Sequence, residues 1–173
     1  ERIAALRLLR SEHVGPVTWR QLVARFGTAE RALAALPDLA RRGGGRAPRI
    51  ASAANAEAEL TEARRQGVQV LCLGEPAYPP LLASLEDAPP RLFLRGRAEL
   101  LARPAVALVG ARNASGNGRR FAEQLAQGPA GEGLVVVSGP ARGIDGAAHE
   151  GALAGGGDTV AVVAGGADVV YPP

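Results

Sequence analysis

The chain has 173 residues, a length that fits one medium domain, or a small domain followed by part of a larger one. Apolar residues make up 47% of the sequence and aromatic residues only 3%, so Ala, Val and Leu must supply most of the core. All 20 basic residues are arginines, which excludes a P-loop lysine, a Schiff-base lysine and a lysine general base.

Cysteine usage and hydropathy narrow the class of protein further. The single cysteine, Cys72, lies in the apolar run 68–73, and no group of Cys and His residues has metal-ligand spacing. We therefore expect no disulfide within the chain, no metal site and no cofactor. We expect no signal peptide, and no apolar stretch approaches the ~20 residues needed to cross a bilayer. This pattern predicts a cytoplasmic protein without a membrane partner.

Charge is spread unevenly along the chain. Residues 1–66 contain twelve arginines against seven acids, a difference of +5, whereas residues 67–173 contain eight arginines against ten acids, a difference of −2. A basic front half suits a polyanionic partner, although charge counts alone favour arginines that solvate helix surfaces. A nucleic-acid site in the second half must depend on local arginines.

Residues 1–66 are predicted to form a small all-helical domain. Thr18 and Thr28 are predicted to cap its second and third helices, and Pro37 to end the third. The short helices around 14–17 resemble a helix-hairpin-helix, which offers backbone N–H groups to a phosphate, although its usual second glycine is absent. A helical packing module without DNA contact is the alternative.

A flexible, basic connection follows at 41–49. Its four arginines could contact phosphates, although a solvated loop is the commoner outcome for such a run. A further helix with an apolar side is predicted after it, ending near Gly67.

From residue 67 onwards the pattern changes to short apolar strands. A strand is predicted at 68–73, and extended, proline-rich pieces at 78–82 and 88–96. Apolar strands that alternate with helices are typical of a parallel sheet covered on both faces, so 67–173 is predicted to be a Rossmann-like, doubly wound α/β domain. Because the chain stops soon after the last of these strands, we expect the sheet to be incomplete. Three strands are predicted at 105–109, 134–137 and 159–163, with helices at 118–127 and 146–154.

Each of these three strands leads into a loop of small residues, at 110–118, 138–145 and 164–168. In a parallel sheet the loops share the carboxyl edge, where open α/β sheets bind ligands. Helix N-termini there favour anions, and Arg112 and Arg142 add full charge and forked hydrogen bonding. The pattern predicts a phosphate site, with tight strand–helix packing as the alternative role of the glycines. Neither a dinucleotide fingerprint nor a P-loop is present.

Three residues of the second loop and its helix could suggest a hydrolytic triad. Ser138, Asp145 and His149 lie on a single strand–loop–helix unit, where convergence on one point is not expected. Asp145 is better interpreted as the cap of its helix, and His149 as a hydrogen-bonded packing residue. We therefore expect a protein that is not an enzyme.

The loops resemble those of the DprA/Smf family of DNA-processing proteins. The matching stretches are 106–115, 137–149 and 159–166 with Tyr171-Pro172. The upstream pieces 78–82 and 89–96 resemble the lead-in segments of that family. The helical front resembles its sterile-alpha-motif-like or helix-hairpin-helix domain, so that the resemblance covers nearly the whole chain.

The resemblance implies a binder of single-stranded DNA that protects the strand, passes it to the RecA recombinase during natural transformation, and forms a homodimer. Arg112 and Arg142 match family positions that hold the DNA backbone. Ala111 stands where the family often has Ser or Thr, and Pro140 where an aliphatic residue is usual. The other residues that the resemblance places at the pocket are Gly110, Ala111, Ser115, Ser138, Gly139 and Gly143.

Two other hypotheses fit the same residues. A sensor or enzyme could bind a small nucleotide at this edge, and a purely structural module could carry both arginines as surface residues. Base stacking by a single-strand binder would need exposed aromatic side chains, for which Tyr171, Phe93 and Tyr78 are the candidates.

Overall fold

The computed structural model describes residues 1–44 and 46–166. It divides the chain into two compact units, Glu1–Arg95 and Gly96–Pro173, which are called the N-terminal unit and the C-terminal unit below. None of the helices in the described ranges is both long enough and apolar enough to span a bilayer.

Four helices build most of the N-terminal unit. Thr28 and Ser52 accept the N–H groups of Arg31 and Asn55 through their side-chain oxygens, and so cap the third and fourth helices. Leu8 is fully buried at the centre of the helical core. The helices are α1 (Arg2–Leu9), α2 (Pro16–Phe26), α3 (Ala29–Arg42) and α4 (Ala53–Arg65).

Two predicted helix boundaries in this unit are wrong. Helix α2 begins at Pro16 after a Gly15 cap, not after Thr18, because Pro at the first helical position loses no hydrogen bond. Helix α3 continues through Pro37 to Arg42. Its amphipathic pattern continues beyond the proline, since Leu39 packs against the same core as the preceding turns, and this burial outweighs the missing N–H bond.

The predicted strand near residue 70 pairs within the N-terminal unit. Strand β1 (Gln69–Cys72) is antiparallel to β2 (Arg91–Leu94), with a short helix, α5 (Pro80–Ala83), in the segment predicted to be extended. Val70 and Phe93 pack on the cluster around Leu6. The compact unit therefore extends to Arg95, whereas the sequence pattern placed the domain boundary at 66/67.

The C-terminal unit contains a parallel sheet of three strands in the order β3-β4-β5. They are joined by two helices, and a 3-10 turn at Ala98–Ala102 precedes them. The predicted α/β architecture is confirmed, with strands β3 and β5 two residues shorter than expected. The elements are β3 (Ala105–Ala107), α6 (Gly116–Gly131), β4 (Val135–Ser138), α7 (Ile144–Ala154) and β5 (Thr159–Ala161).

Helices α6 and α7 share one core with the sheet. Alanines of both helices pack on the fully buried Val136, and Val106 and Leu108 line the same core. Ala105 and Ala107, which alternate with Val106 along β3, are exposed. Within the described residues the helices thus pack on one face of the sheet, whereas the sequence pattern predicts cover on both faces.

The two helices approach each other at backbone distance. A Cβ atom added at Gly151 would lie 2.1 Å from the carbonyl oxygen of Glu123, and one at Gly155 would lie 2.6 Å from that of Gln127. No side chain larger than hydrogen fits at these two positions. The contact holds together the two helices that begin at the arginine-bearing loops.

Candidate functional site

The loops after β3 and β4 are joined through their backbones. Ile144, the first residue of α7, donates its N–H to the carbonyl oxygen of Ala111 at 3.2 Å. Gly143 has a φ of +87°, and a Cβ there would lie 2.3 Å from the Ala111 oxygen and 2.5 Å from that of Arg112. The predicted meeting of these two loops at one sheet edge is confirmed.

Both loop arginines are free to bind an anion. Arg112 and Arg142 are exposed, and neither guanidinium has a hydrogen bond or an ion pair within the described residues. An arginine that is not neutralised internally keeps its charge and its five donors for a ligand.

The N-terminus of α6 offers open donors beside Arg112. Ser115 caps the helix, since its Oγ accepts the N–H of Gly118 at 3.1 Å. In the part of the chain that the structure describes, the N–H groups of Gly116 and Asn117 have no acceptor, and the first turn carries no acidic residue. Free N–H groups at the positive end of a helix dipole suit a phosphate.

The N-terminus of α7 is different, because most N–H groups of its first turn already have acceptors among the described residues. Ile144 donates to Ala111, and Gly146 donates to the carbonyl oxygen of Ala141 at 3.1 Å. The carboxylate of Asp145 also lies in this turn and complements the positive end of the dipole. The sequence predicts anion-binding donors at both helix starts, but within the described residues the start of α6 is the more open, and the carboxylate of Asp145 lies at the start of α7.

Asp145 does not cap its own helix, so that prediction was wrong. Gly143 is the cap residue, and it makes no side-chain cap bond. Asp145 is only 8% exposed, and its Oδ1 accepts the N–H of Gly110 at 3.2 Å. Because Asp145 lies inside the first turn, its side chain reaches the neighbouring loop.

The three residues of the conceivable triad bond to other groups. The buried Ser138 donates its Oγ proton to the carbonyl oxygen of Leu108 at 2.5 Å. The ring nitrogens of His149 lie 2.7 Å from Thr159 Oγ1 and 3.0 Å from the carbonyl oxygen of Gly139. The interpretation of His149 as a hydrogen-bonded packing residue is confirmed.

The loop glycines allow this close approach. A Cβ at Gly110 would lie 2.7 Å from the side chain of Ile144, and one at Gly139 would lie 2.6 Å from Asp145 Oδ2. Gly110, Gly139 and Gly143 therefore shape the edge through packing, while the neighbouring Ala111 presents an exposed methyl group.

The third loop, after β5, brings apolar side chains to the same edge. Val162 donates its N–H to the carbonyl oxygen of Ser138 at 2.9 Å, which joins this loop to β4. Val162 and Val163 of this loop are exposed, as is Val109, which follows β3. Residues 167–168, at the end of the predicted loop, lie outside the described residues.

The expected aromatic candidates are placed elsewhere. Tyr78 is 4% exposed and donates its hydroxyl proton to Pro89 at 2.7 Å, and burial raises the pKa of this phenol. Phe93 packs in the core of the N-terminal unit, and Tyr171 lies outside the described residues. Phe121 is not among the aromatic candidates expected from the sequence, yet it is 65% exposed on α6, four residues after Asn117.

No group of His, Cys, Asp or Glu side chains within the described ranges could hold a metal ion. The chemistry available at the edge is thus that of two free arginines, open amides, small loops and exposed apolar side chains.

Two family models match the chain. The model of DNA recombination-mediator protein A matches residues 69–173, and that of a DprA-like N-terminal HHH domain matches residues 1–62. The chain belongs to the DprA/Smf family. The resemblance drawn from the loops is confirmed.

Relatives and a solved structure agree with the DprA/Smf assignment. DNA processing protein DprA of Streptococcus pneumoniae is 50% identical over 95 residues, which are 55% of this chain and 33% of that protein. DNA processing protein DprA of Bacillus subtilis is 35% identical over 114 residues, 65% of this chain and 38% of that protein. The X-ray structure of the Streptococcus pneumoniae protein superposes with a TM-score of 0.73 at 32% identity, covering 98% of this chain and 60% of the other. The sequence matches thus span about a third of the length of these relatives, and the structural match spans 60% of the solved chain.

Proposed function

We propose that this chain binds single-stranded DNA at the carboxyl edge of its parallel sheet, protects the strand, and helps to load the RecA recombinase during DNA uptake. The observation that carries the proposal is a pair of exposed arginines, Arg112 and Arg142, which have no side-chain partner in the described part of the chain and lie on two loops that are hydrogen-bonded to each other. Such a pair can hold phosphate oxygens through forked, charge-assisted hydrogen bonds.

In this proposal the phosphates of the strand bind the backbone N–H groups that have no acceptor within the described residues. Gly116 and Asn117 offer N–H groups at the start of α6, next in the chain to the Arg112 loop and to the Ser115 cap. At the start of α7 the N–H groups of Ile144 and Gly146 already have acceptors, and the Asp145 carboxylate lies beside them, so a phosphate contacts Arg142 through its side chain. Because backbone contacts carry no base information, we expect little sequence preference.

The bases meet apolar rather than hydrogen-bonding groups. Val109 and Val162 are exposed at the same edge, and Phe121 offers an aromatic face on α6. Stacking on an aromatic ring tolerates any base, which suits a protein that coats strands of any sequence.

The remaining parts of the proposal depend on family membership. We infer a non-enzymatic, cytoplasmic protein that works as a homodimer and contacts RecA. The matched family is described as a recombination mediator, and mediators act by delivering a strand to another protein. Molar-mass determination of the whole protein and RecA filament assembly on pre-coated DNA would test these two partners.

Fluorescence anisotropy of a labelled oligo-dT strand tests the DNA site directly. We expect Arg112→Ala with Arg142→Ala to weaken binding about 100-fold and to lower the salt dependence, because two phosphate contacts are lost. Arg31→Ala with Arg64→Ala is the matched control, since both residues are exposed on helices of the N-terminal unit and neither guanidinium has a partner among the described residues. The control should bind nearly as tightly as the wild type.

The competitors separate this proposal from a nucleotide sensor. Duplex DNA and a mononucleotide should compete weakly with oligo-dT. Strong competition by the mononucleotide, without tighter binding as the oligonucleotide lengthens, would favour a small-nucleotide sensor or enzyme. Equal affinities of the site variant and the control would leave the arginines as surface residues.

A further inference from the structure

The buried carboxylate of Asp145 is not used by the proposed phosphate contacts. It lies at the point where the loops after β3 and β4 meet, with its Oδ1 on the N–H of Gly110 and its Oδ2 against Gly139. A carboxylate beside a polyanion site disfavours binding through charge repulsion. A structural role would explain why it is present there.

We propose that Asp145 is a positioning residue that holds the Arg112 loop and the Arg142 loop at a fixed separation for single-stranded DNA. Arg112 follows Gly110 by two residues, and Arg142 precedes Asp145 by three, so the bond from Asp145 to Gly110 closes a short bridge between the two arginines. The inference rests on the proposed function, because it names what keeps that site in order.

The surroundings of Asp145 support a bridge rather than a simple cap. Gly110 and Gly139 both lack the Cβ that would displace the bridge, since these atoms would lie 2.7 Å from Ile144 and 2.6 Å from Asp145 Oδ2. A second hydrogen bond joins the same two loops, from the Ile144 N–H to the carbonyl oxygen of Ala111. Two hydrogen bonds on adjacent residues restrict rotation of one loop against the other.

A positioning role and simple charge repulsion predict opposite effects of Asp145→Ala on the affinity for DNA. Removing a negative charge near a phosphate site should tighten DNA binding if charge alone mattered. If Asp145 holds the loops, Asp145→Ala should weaken oligo-dT binding about tenfold, because the freed loops must be ordered on binding. Asp145→Asn should lose less than about threefold, since its amide oxygen still accepts the N–H of Gly110.

A charge control and a coupling measurement complete the test. Glu150→Gln removes an exposed acid from the same helix without touching either loop and should not weaken binding. Combined with Arg112→Ala, Asp145→Ala should cost much less than in the wild-type background, because both changes disable the same loop pair. Hydrogen exchange should show faster exchange of the Gly110 amide in Asp145→Ala and near-wild-type exchange in Asp145→Asn.

The outcomes are separable. Weaker binding by Asp145→Ala, recovery in Asp145→Asn and non-additivity with Arg112→Ala would support the bridge. Unchanged or tighter binding by a folded Asp145→Ala variant, while Arg112→Ala with Arg142→Ala still loses affinity, would overturn the bridge alone. A wild-type protein that does not bind oligo-dT would overturn the proposed function and the bridge with it. Unchanged Gly110 exchange in Asp145→Ala would likewise contradict the inference.

Discussion

The arginines of the two units are used differently. In the N-terminal unit, Arg10 pairs with Glu59 at 2.7 Å, and Arg65, together with a neighbouring amide, lowers the pKa of Glu62 to about 2. Further arginines of that unit donate to carbonyl oxygens, notably Arg7, Arg20 and Arg91.

In the C-terminal unit, by contrast, Arg112 and Arg142 have no such partner within the described residues. Much of the positive charge of the N-terminal unit is thus held internally, although exposed arginines such as Arg31 and Arg64 have no side-chain partner among the described residues. What sets Arg112 and Arg142 apart is their position on two loops that are hydrogen-bonded to each other. Net charge alone does not locate an anion site, because an arginine already held by an acid gains little by binding a phosphate.

The largest expected effect would break the C-terminal unit. Gly151→Ala places a Cβ 2.1 Å from the Glu123 carbonyl oxygen, so α6 and α7 must separate, at a cost of about 4 kcal/mol in the free energy of unfolding. DNA binding should be lost with the fold. Gly131→Ala, at the C-terminal end of α6, brings its Cβ only to an ordinary contact at 3.7 Å from the carbonyl oxygen of Gly155 and should not destabilise the unit. Thermal unfolding of both variants checks this pair.

A cavity in the N-terminal unit should separate stability from DNA binding. Leu8→Ala removes a fully buried side chain and should lower the free energy of unfolding by about 3 kcal/mol. The affinity for oligo-dT, measured below the unfolding transition, should not change. A loss of affinity in the folded variant would assign part of the site to this unit and would weaken the contrast between the units.

A smaller loss of DNA affinity is expected when the exposed aromatic side chain of α6 is removed. Phe121→Ala should weaken oligo-dT binding by about 1–2 kcal/mol if bases stack on the ring, and Phe121→Trp should restore it. Leu153→Ala is the matched control, because Leu153 is 64% exposed on α7 and Phe121 is 65% exposed on α6. Equal effects of the two alanine variants would indicate a general apolar contribution without stacking.

The smallest effect is electrostatic and lies away from the site. Hydrogen bonds from Arg97 and then Arg103 lower the pKa of Asp158. Because the folded pKa is below the unfolded value of about 3.9, the stabilisation is present above that pH and is lost as the pH falls through the folded pKa. The Tm difference between wild type and Asp158→Asn should thus be largest near neutral pH and should shrink on acidification.

The sequence pattern predicted the parallel sheet and the arginine pair for a simple reason. Continuous apolar strands and loops of small residues are local signals, and the carboxyl edge collects such loops in any parallel sheet. The antiparallel partner of β1 was not predictable in this way, because pairing with Arg91–Leu94 depends on the Leu6 cluster. Local patterns do not show which remote surface a strand will cover.

The wrong predictions for single side chains have the same cause. An acid in the first turn of a helix suggests a cap, but the acceptor role of Asp145 exists only once Gly110 is brought beside it. Tyr78 and Phe121 are both aromatic residues in mixed surroundings, and only packing decides that the first is buried and the second is exposed. Burial of a single aromatic side chain is a tertiary property.

The close contact of α6 and α7 has a mechanical consequence. With hydrogen in place of side chains at Gly151 and Gly155, no deformable layer lies between the two backbones. We therefore expect the two helices to move together, so that the loops at their N-termini, which carry Arg112 and Arg142, keep a constant separation. A constant separation between two cationic loops would suit a ligand whose charges repeat at regular intervals along an extended chain.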